Sequence, residues 1–175
     1  MKSGTDSPIA GPVDLPYSWA GAPNTKFFSG AVTLRRSVDL VARPQGSRTV
    51  LDFGEGVPVD REALPGGTMR GNSFAALIAA PIREAVTVTV NGRRAGSVWA
   101  PPYRIDITDI VRTGRNDLQL DVYNTAINRL AEGGHLPDVN AVVEKYGQRF
   151  RFQDLDNLQP IPSGILSVPR IVTER

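Results

Sequence analysis

The sequence predicts an all-β fold made of antiparallel sheets packed face to face. Three observations predict it: short apolar runs alternate with polar residues at a period of two, Gly and Pro clusters separate those runs, and no strand is followed by the long helix a parallel α/β fold would need. The chain has 175 residues, the size of one ordinary domain, which buries about 70% of the surface its unfolded chain exposes. Hydrophobic residues make up 41% and charged residues 22% of it, a globular rather than a disordered composition.

Residues 1 to 30 are rich in Gly, Pro, Ser and Asp and are expected to be an amino-terminal extension wrapping the sandwich, pinned by Trp19 and Phe27. Residues 31–175 are expected to form the sandwich domain. From Ala31 to Leu40, Val32, Leu34, Val38 and Leu40 fall on one side of a strand, with Thr33, Arg35, Ser37 and Asp39 on the other. After the turn "ARPQGSR", the run "TVLDFG" predicts a second strand with Leu51 and Phe53 facing one way. Pro58, Pro65, Gly66 and Gly67 mark a loop, and the apolar run Ser73 to Ala80 is expected to be a buried strand.

The clearest pattern is "AVTVTVNGRRAGSVW", in which Val86, Val88 and Val90 alternate with Thr87 and Thr89 before Asn91-Gly92, a pair suited to positive φ. It predicts a β-hairpin. Pro101 and Pro102 then enforce an extended approach, Thr108 is expected to cap one helical turn, and Gly114 to Asn116 to reverse the chain. Leu118, Leu120 and Val122 alternate with polar residues as in a half-buried strand. Thr125 to Ala131 and Asp138 to Tyr146 predict one or two short helices, the second capped by Asp138 and closed near Gly147. A last strand is expected in "SGILSVPRIV".

The absence of cysteine excludes a disulfide framework and a thiolate metal site. The net charge is +2, and arginines are scattered singly or in pairs instead of in a run that could track phosphates, so nucleic acid is not an expected partner. The amino terminus has no apolar stretch resembling a signal peptide and no segment is long enough to cross a bilayer, so no membrane association is expected. Localisation stays open. Neither a glycine-rich phosphate loop nor a nucleophile elbow is present.

The stretch "VTVNGRRAGSVWAPPYRIDITDIVRTGRNDLQLDVYNTAINRL", together with "TKFFSG", "VLDFGEG" and "YGQRFRFQDLDNLQPIPSGILSVPRIV", resembles the carboxy-terminal galactose-binding-like domain of glycoside hydrolase family 106, the α-L-rhamnosidases. A looser similarity runs to the sugar-binding jelly rolls of family 2 glycosidases. The resemblance implies an antiparallel jelly-roll β-sandwich, galactose-binding domain-like, and a periplasmic or secreted parent enzyme. It also implies catalytic carboxylates on a separate barrel, so the expected role is that of a non-catalytic ancillary domain. Its partners would be the catalytic domain of the parent enzyme and a rhamnose- or galactose-containing glycan. The alternative is an autonomous carbohydrate-binding module.

Candidate sugar-binding residues form two groups. Trp99, Tyr103, Arg104, Asn124, Asn128 and Arg129 combine aromatic faces for the C–H face of a pyranose with amides and guanidinium for its hydroxyls. Against this, Trp99 could plug a sandwich edge, and Asn124 and Asn128 could brace the turn after a strand. The loop "RFRFQDLDNLQPIPSG" supplies Gln153, Asp154, Asp156 and Asn157, either completing a sugar subsite or bonding to their own backbone. Asp154 and Asp156 as paired catalytic carboxylates lack an apolar pocket to raise one pKa, so no catalytic residue is assigned. His135 is the single histidine and is expected in an exposed loop. No cofactor is expected, with a structural Ca²⁺ at Asp52 and Glu55 the open alternative.

Overall fold

The structure is a computed structural model, and it describes residues 9, 11–59, 78–134, 138–150 and 158–175. They form a mostly β body with two short helices and several sheets, in which every strand pair is antiparallel. Among the described residues, no helix is long and apolar enough to cross a membrane.

The main sheet has four strands in the order β2 (Ala31–Leu40), β10 (Gly114–Tyr123), β7 (Ala85–Val90) and β8 (Arg93–Val98). β10 pairs with β2 along its whole length, from Gly114 opposite Leu40 to Tyr123 opposite Ala31. The expected alternation holds: Val32, Val86, Val88, Val90, Val98, Leu120 and Val122 are buried, while their sequence neighbours stay wetter. β7 turns into β8 through Asn91 at φ 51° and Gly92 at φ 76°, the two left-handed residues a tight hairpin requires. Between Val88 and Thr89 the register shifts, so that Ala95 is an extra residue on β8. The edge strands each carry an exposed arginine pair, Arg35 and Arg36 on β2 and Arg93 and Arg94 on β8.

A second sheet sets β3 (Arg48–Asp52) between β12 (Arg170–Glu174) and β9 (Arg104–Asp106). Thr49, Val50 and Leu51 are all buried, so this central strand is covered on both faces. A third sheet joins β1 (Tyr17–Ser18), β11 (Gly164–Ile165) and β6 (Ile82–Arg83). One apolar cluster unites Val86, Val88 and Val122 of the main sheet with Leu51 of the second and Phe53 and Ile107 just beyond its strands, and with Ile82 and Ile165 of the third and Trp19 just after β1. Each such fully buried side chain contributes about 1.5 to 3 kcal/mol relative to exposure.

Several expectations need correction. Of the anticipated buried strand at Ser73 to Ala80, residues 73–77 lie outside the described residues. Ile78–Ala79 form a two-residue strand, β5, paired with β4 (Val57–Pro58) and exposed, and among the described residues no third strand joins this pair. The amino-terminal segment is anchored by Trp19 and by the half-buried Phe28, which meets the Trp19 ring edge-on at 6.1 Å and packs on the core, whereas the equally half-buried Phe27 is not part of that cluster. Asp106, not Thr108, caps the turn after β9 by accepting from the Thr108 amide (2.9 Å), because the Thr108 hydroxyl is engaged with the Thr49 amide (2.8 Å). Gly114 to Asn116 already belong to β10. The final strand is two, β11 and β12, interrupted where Pro169 cannot donate to a ladder. The helices are α1 (Ile127–Ala131) and α2 (Val139–Tyr146), the second capped by Asp138 and ended by Gly147 at φ 92° as anticipated.

Asn116 shows why its position is strand and not turn. Its fully buried amide donates to the Arg112 carbonyl (2.7 Å) and the Gly114 carbonyl (2.8 Å) and accepts from the Arg112 amide (2.9 Å) and the Asn91 side chain (2.9 Å). Asn91 in turn bonds the Ile110 carbonyl (3.0 Å) and the Asp117 amide (3.0 Å), tying the hairpin to the turn before β10. Replacing Asn116 by alanine removes four bonds of a fully buried amide to part-buried partners, and we expect a loss of about 2 to 4 kcal/mol in urea denaturation with an unchanged slope.

The Asp106 carboxyl is held below its ordinary value of 3.8 by the Thr108 hydroxyl and then by the Thr108 amide. A lowered folded pKa contributes stability that is fully present above the unfolded pKa and disappears as pH falls through the folded one. In Thr108→Val the Asp106 pKa should therefore rise toward the unperturbed value, read by carboxyl-carbon NMR titration, and the stability lost on acidification should shrink.

Candidate functional site

β3 delivers Asp52 to one end of the second sheet, where its carboxylate turns the chain by accepting from the Gly54 amide (2.8 Å), Gly54 lying at φ 95°. β9 delivers Arg104 alongside, with Tyr103 just before it, its carbonyl accepting from the Phe53 amide (2.9 Å). Between them opens a cleft of about 570 Å³. Asp52, Glu55 and Arg104 supply its charged wall, and Ile78, Pro101, Pro102 and the Tyr103 ring its apolar wall. Gly56 lines it because a side chain there would collide with Ile78 and crowd Tyr103. The Pro101–Pro102 peptide bond is cis.

The Arg104 guanidinium is clamped across three strands. Its Nε lies 3.1 Å from Asp52 on β3, its Nη2 pairs with Glu174 on β12, and Glu174 also lies 3.9 Å from Arg48. The Arg104, Asp52 and Glu174 side chains are roughly a third exposed and Arg48 more so, so the clamp orients the guanidinium more than it stabilises the fold. Glu55 is exposed and pairs with no described residue.

The anticipated sugar residues divide between places. Tyr103 and Arg104 line the cleft, and Trp99, 72% exposed, stands on the connection leading into it. Asn124, Asn128 and Arg129 lie on the segment after β10. Asn124 accepts from the Gly30 amide (2.8 Å) and donates to the Phe28 carbonyl (2.9 Å). Asn128 is fully buried, donating to the Ile161 carbonyl (3.1 Å) and the Ser163 hydroxyl (3.1 Å) and accepting from the Ile161 amide (2.9 Å). Both amides therefore stitch the amino-terminal segment and the 161–163 strand approach to the body. Arg129 pairs with Glu132 and lines a separate groove of about 340 Å³ beside Phe27 and Phe28. Gln153, Asp154, Asp156, Asn157 and His135 lie outside the described residues.

The outer face of the main sheet is a ladder of polar pairs. Thr33 donates to Asp121 (2.6 Å), Ser37 to Asp117 (2.6 Å) and Gln119 to Asp121 (3.1 Å), and Arg35 reaches Gln119 (3.2 Å). The Ser37 hydroxyl, followed by the nearby Arg115 charge, holds the Asp117 carboxyl below its ordinary value. Such a face satisfies itself.

A calcium ion does not fit the donors at Asp52. One carboxylate oxygen serves the Gly54 amide and the other the Arg104 guanidinium, and among the described residues no three His, Asp or Glu gather around a common point.

No protein-family model matches the chain. A stretch of 50 residues is 42% identical to a protein of Formosa agariphila assigned as a β-glucuronidase, covering 29% of this chain and 4% of that protein. Among solved structures, a rhamnosidase from Novosphingobium sp. PP1Y matches 87% of this chain with a TM-score of 0.56 at 24% identity. A GH2 β-galacturonidase from Eisenbergiella tayi matches 95% of it with a TM-score of 0.44 at 15% identity. The matched parts make up 12% and 22% of those chains. The chain is thus a mostly β unit of domain size whose fold recurs as a part, 12% of the length, of a larger chain. More particularly, it shares its fold with part of a rhamnosidase, the resemblance its sequence already carries.

Replacing Arg104 by methionine keeps the aliphatic stem but leaves Asp52 and Glu174 facing each other without a cation. We expect a loss of about 1 kcal/mol in chemical denaturation, shrinking in high salt.

Proposed function

We propose that this chain is a galactose-binding-like jelly-roll sandwich acting as a non-catalytic ancillary domain of an α-L-rhamnosidase-like glycoside hydrolase. In this reading residues up to about 30 are an extension wrapping the sandwich; the domain packs on the catalytic part through the cleft end and helps shape a sugar site there. The observation that carries the reading is the contrast between the two ends of the surface. The outer face of the main sheet is a closed polar ladder, whereas exposed Val57, Ile78 and Trp99 lie on the segments that form or lead into the cleft. Val168 is also exposed and follows Ser167, whose hydroxyl bonds the Phe53 carbonyl beneath the cleft. Exposed apolar side chains on segments that border a cleft suit a contact surface, and Val41, Tyr123 and Tyr146 are exposed elsewhere in the chain. Hydrolysis needs an acid and a second carboxylate about 5 to 9.5 Å apart across a sugar, and Asp52, the carboxylate most firmly placed in the cleft, is already committed to Arg104.

A second reading, an autonomous carbohydrate-binding module, is favoured by one feature. Trp99, 72% exposed, lies two residues before Pro101 in the segment that lines the cleft with Tyr103 and Arg104, and together these are the aromatic and donor groups a pyranose uses.

The purified chain should not hydrolyse an aryl α-L-rhamnoside or aryl β-glucuronide above the buffer rate, and turnover comparable to a complete enzyme would overturn the first reading. Trp19 is buried and Trp99 exposed, so acrylamide should quench the two populations unequally, and Trp99→Phe should remove the accessible one. Protection of that population by a glycan, with the isolated chain, would favour the second reading over the first.

A further inference from the structure

Asn91-Gly92 is the one Asn-Gly pair in the chain, every other asparagine preceding a residue with a side chain. Glycine has no Cβ to shield its backbone nitrogen, so that nitrogen can attack the carbonyl carbon of the preceding side-chain amide. The C–N bond to Nδ2 breaks, ammonia leaves with the proton of the attacking N–H, and a five-membered succinimide remains. Water then opens the ring to aspartate or isoaspartate. We infer that Asn91 is a deamidation site that the native hydrogen bonds hold shut, reacting only when the tip of the β7–β8 hairpin opens and giving a product that cannot close it again.

The bonds that hold this residue all run to the turn before β10 and to the first residues of that strand. The Asn91 backbone amide donates to the Asp117 carbonyl (2.8 Å). Its Nδ2 donates to the Ile110 carbonyl (3.0 Å) and to Asn116 Oδ1 (2.9 Å), and its Oδ1 accepts from the Asp117 amide (3.0 Å). Both hydrogens of Nδ2 are committed, so Cγ cannot swing toward the Gly92 nitrogen until these bonds break. Gly92 itself is exposed, and a Cβ there would meet nothing within 4 Å. Once the side chain is released, neither the attack nor the entry of water is obstructed. The product cannot return. An ionised aspartate has acceptors only, and it would set its oxygens against the Ile110 carbonyl and the Asn116 oxygen. Asn116 cannot turn its amide round to compensate, because its nitrogen donates to the Arg112 and Gly114 carbonyls and its oxygen also accepts from the Arg112 amide. An isoaspartate adds a methylene to the main chain and so breaks the two-residue turn.

The test incubates the intact chain in mildly alkaline buffer, follows deamidation at position 91 by peptide mapping, and compares the rate with that of the same chain unfolded in concentrated urea. In parallel, hydrogen exchange of the Asp117 amide, which bonds Asn91 Oδ1, reports how often the lock opens. We expect the folded chain to react at least about tenfold more slowly than the unfolded one, by a factor matching the Asp117 protection, and urea below the unfolding transition to raise both rates together. Asn116→Ala removes one acceptor of Nδ2 and should speed both; if that variant does not fold, the match in the native chain decides. The deamidated chain, separated from the rest, should exchange its Asp117 amide faster than before. A folded chain that reacts as fast as the unfolded one overturns the lock, as does a rate that stays fixed while Asp117 exchange climbs. An unfolded chain that does not react at position 91 overturns the site, and a deamidated chain with full Asp117 protection overturns the irreversible step.

Discussion

The strands of the main sheet are apolar on one face only, and covering that face organises everything else. Val86, Val88, Val90, Leu120 and Val122 line up because β7 and β10 pair in register. A one-residue slip would turn all of them to water. The second sheet supplies the cover with Leu51 and Phe53, and Trp19 with Ile82 and Ile165 closes the remaining side. The outer face is then free to be polar, and its Thr, Ser, Asp and Gln pairs give the strands cross-strand bonds without competing for the core.

Polar side chains decide how the connections are laid on this body. Asn116 with Asn91, and Asn128 with Ser163, each gather backbone groups from segments distant in sequence. A buried amide can do this because it offers two donors and an acceptor with two lone pairs. The cleft emerges at the other end of the same logic. Gly54 and Gly56 let the chain leave β3 tightly, Asp52 fixes the first turn, and the space between this segment and the proline-rich approach to β9 is what remains.

Much of the fold was legible from residue spacing alone. The period-two runs of β2, β7 and β10, the Asn91-Gly92 turn and the Asp138 and Gly147 limits of α2 are local signals, and local signals survive in a sequence. What depends on distant partners was not legible. Asn116 reads as a turn residue until burial is known, and Thr108 reads as a cap until Thr49 is seen beside it. Ile78 looks like core because nothing local says that its only described partner is a two-residue strand. Within the cleft, Tyr103 and Arg104 stood out as aromatic and donor groups. Asp52 and Glu55 were weighed only as cation ligands, because the pairing of Arg104 with Asp52 and with Glu174, 70 residues on, arises from strand order and leaves no mark on the sequence.

The arginine pairs on the two flanks of the main sheet, with the extra Ala95 on β8, carry a consequence for how copies of this chain meet. Open strand edges invite other chains to add on, and charge or a bulge at those edges discourages it. Arg35 and Arg36 on one flank and Arg93 and Arg94 on the other place like charges wherever two copies would meet edge to edge. The sheet is in this way defended against edge-to-edge growth into fibrils by charge carried on its own strands.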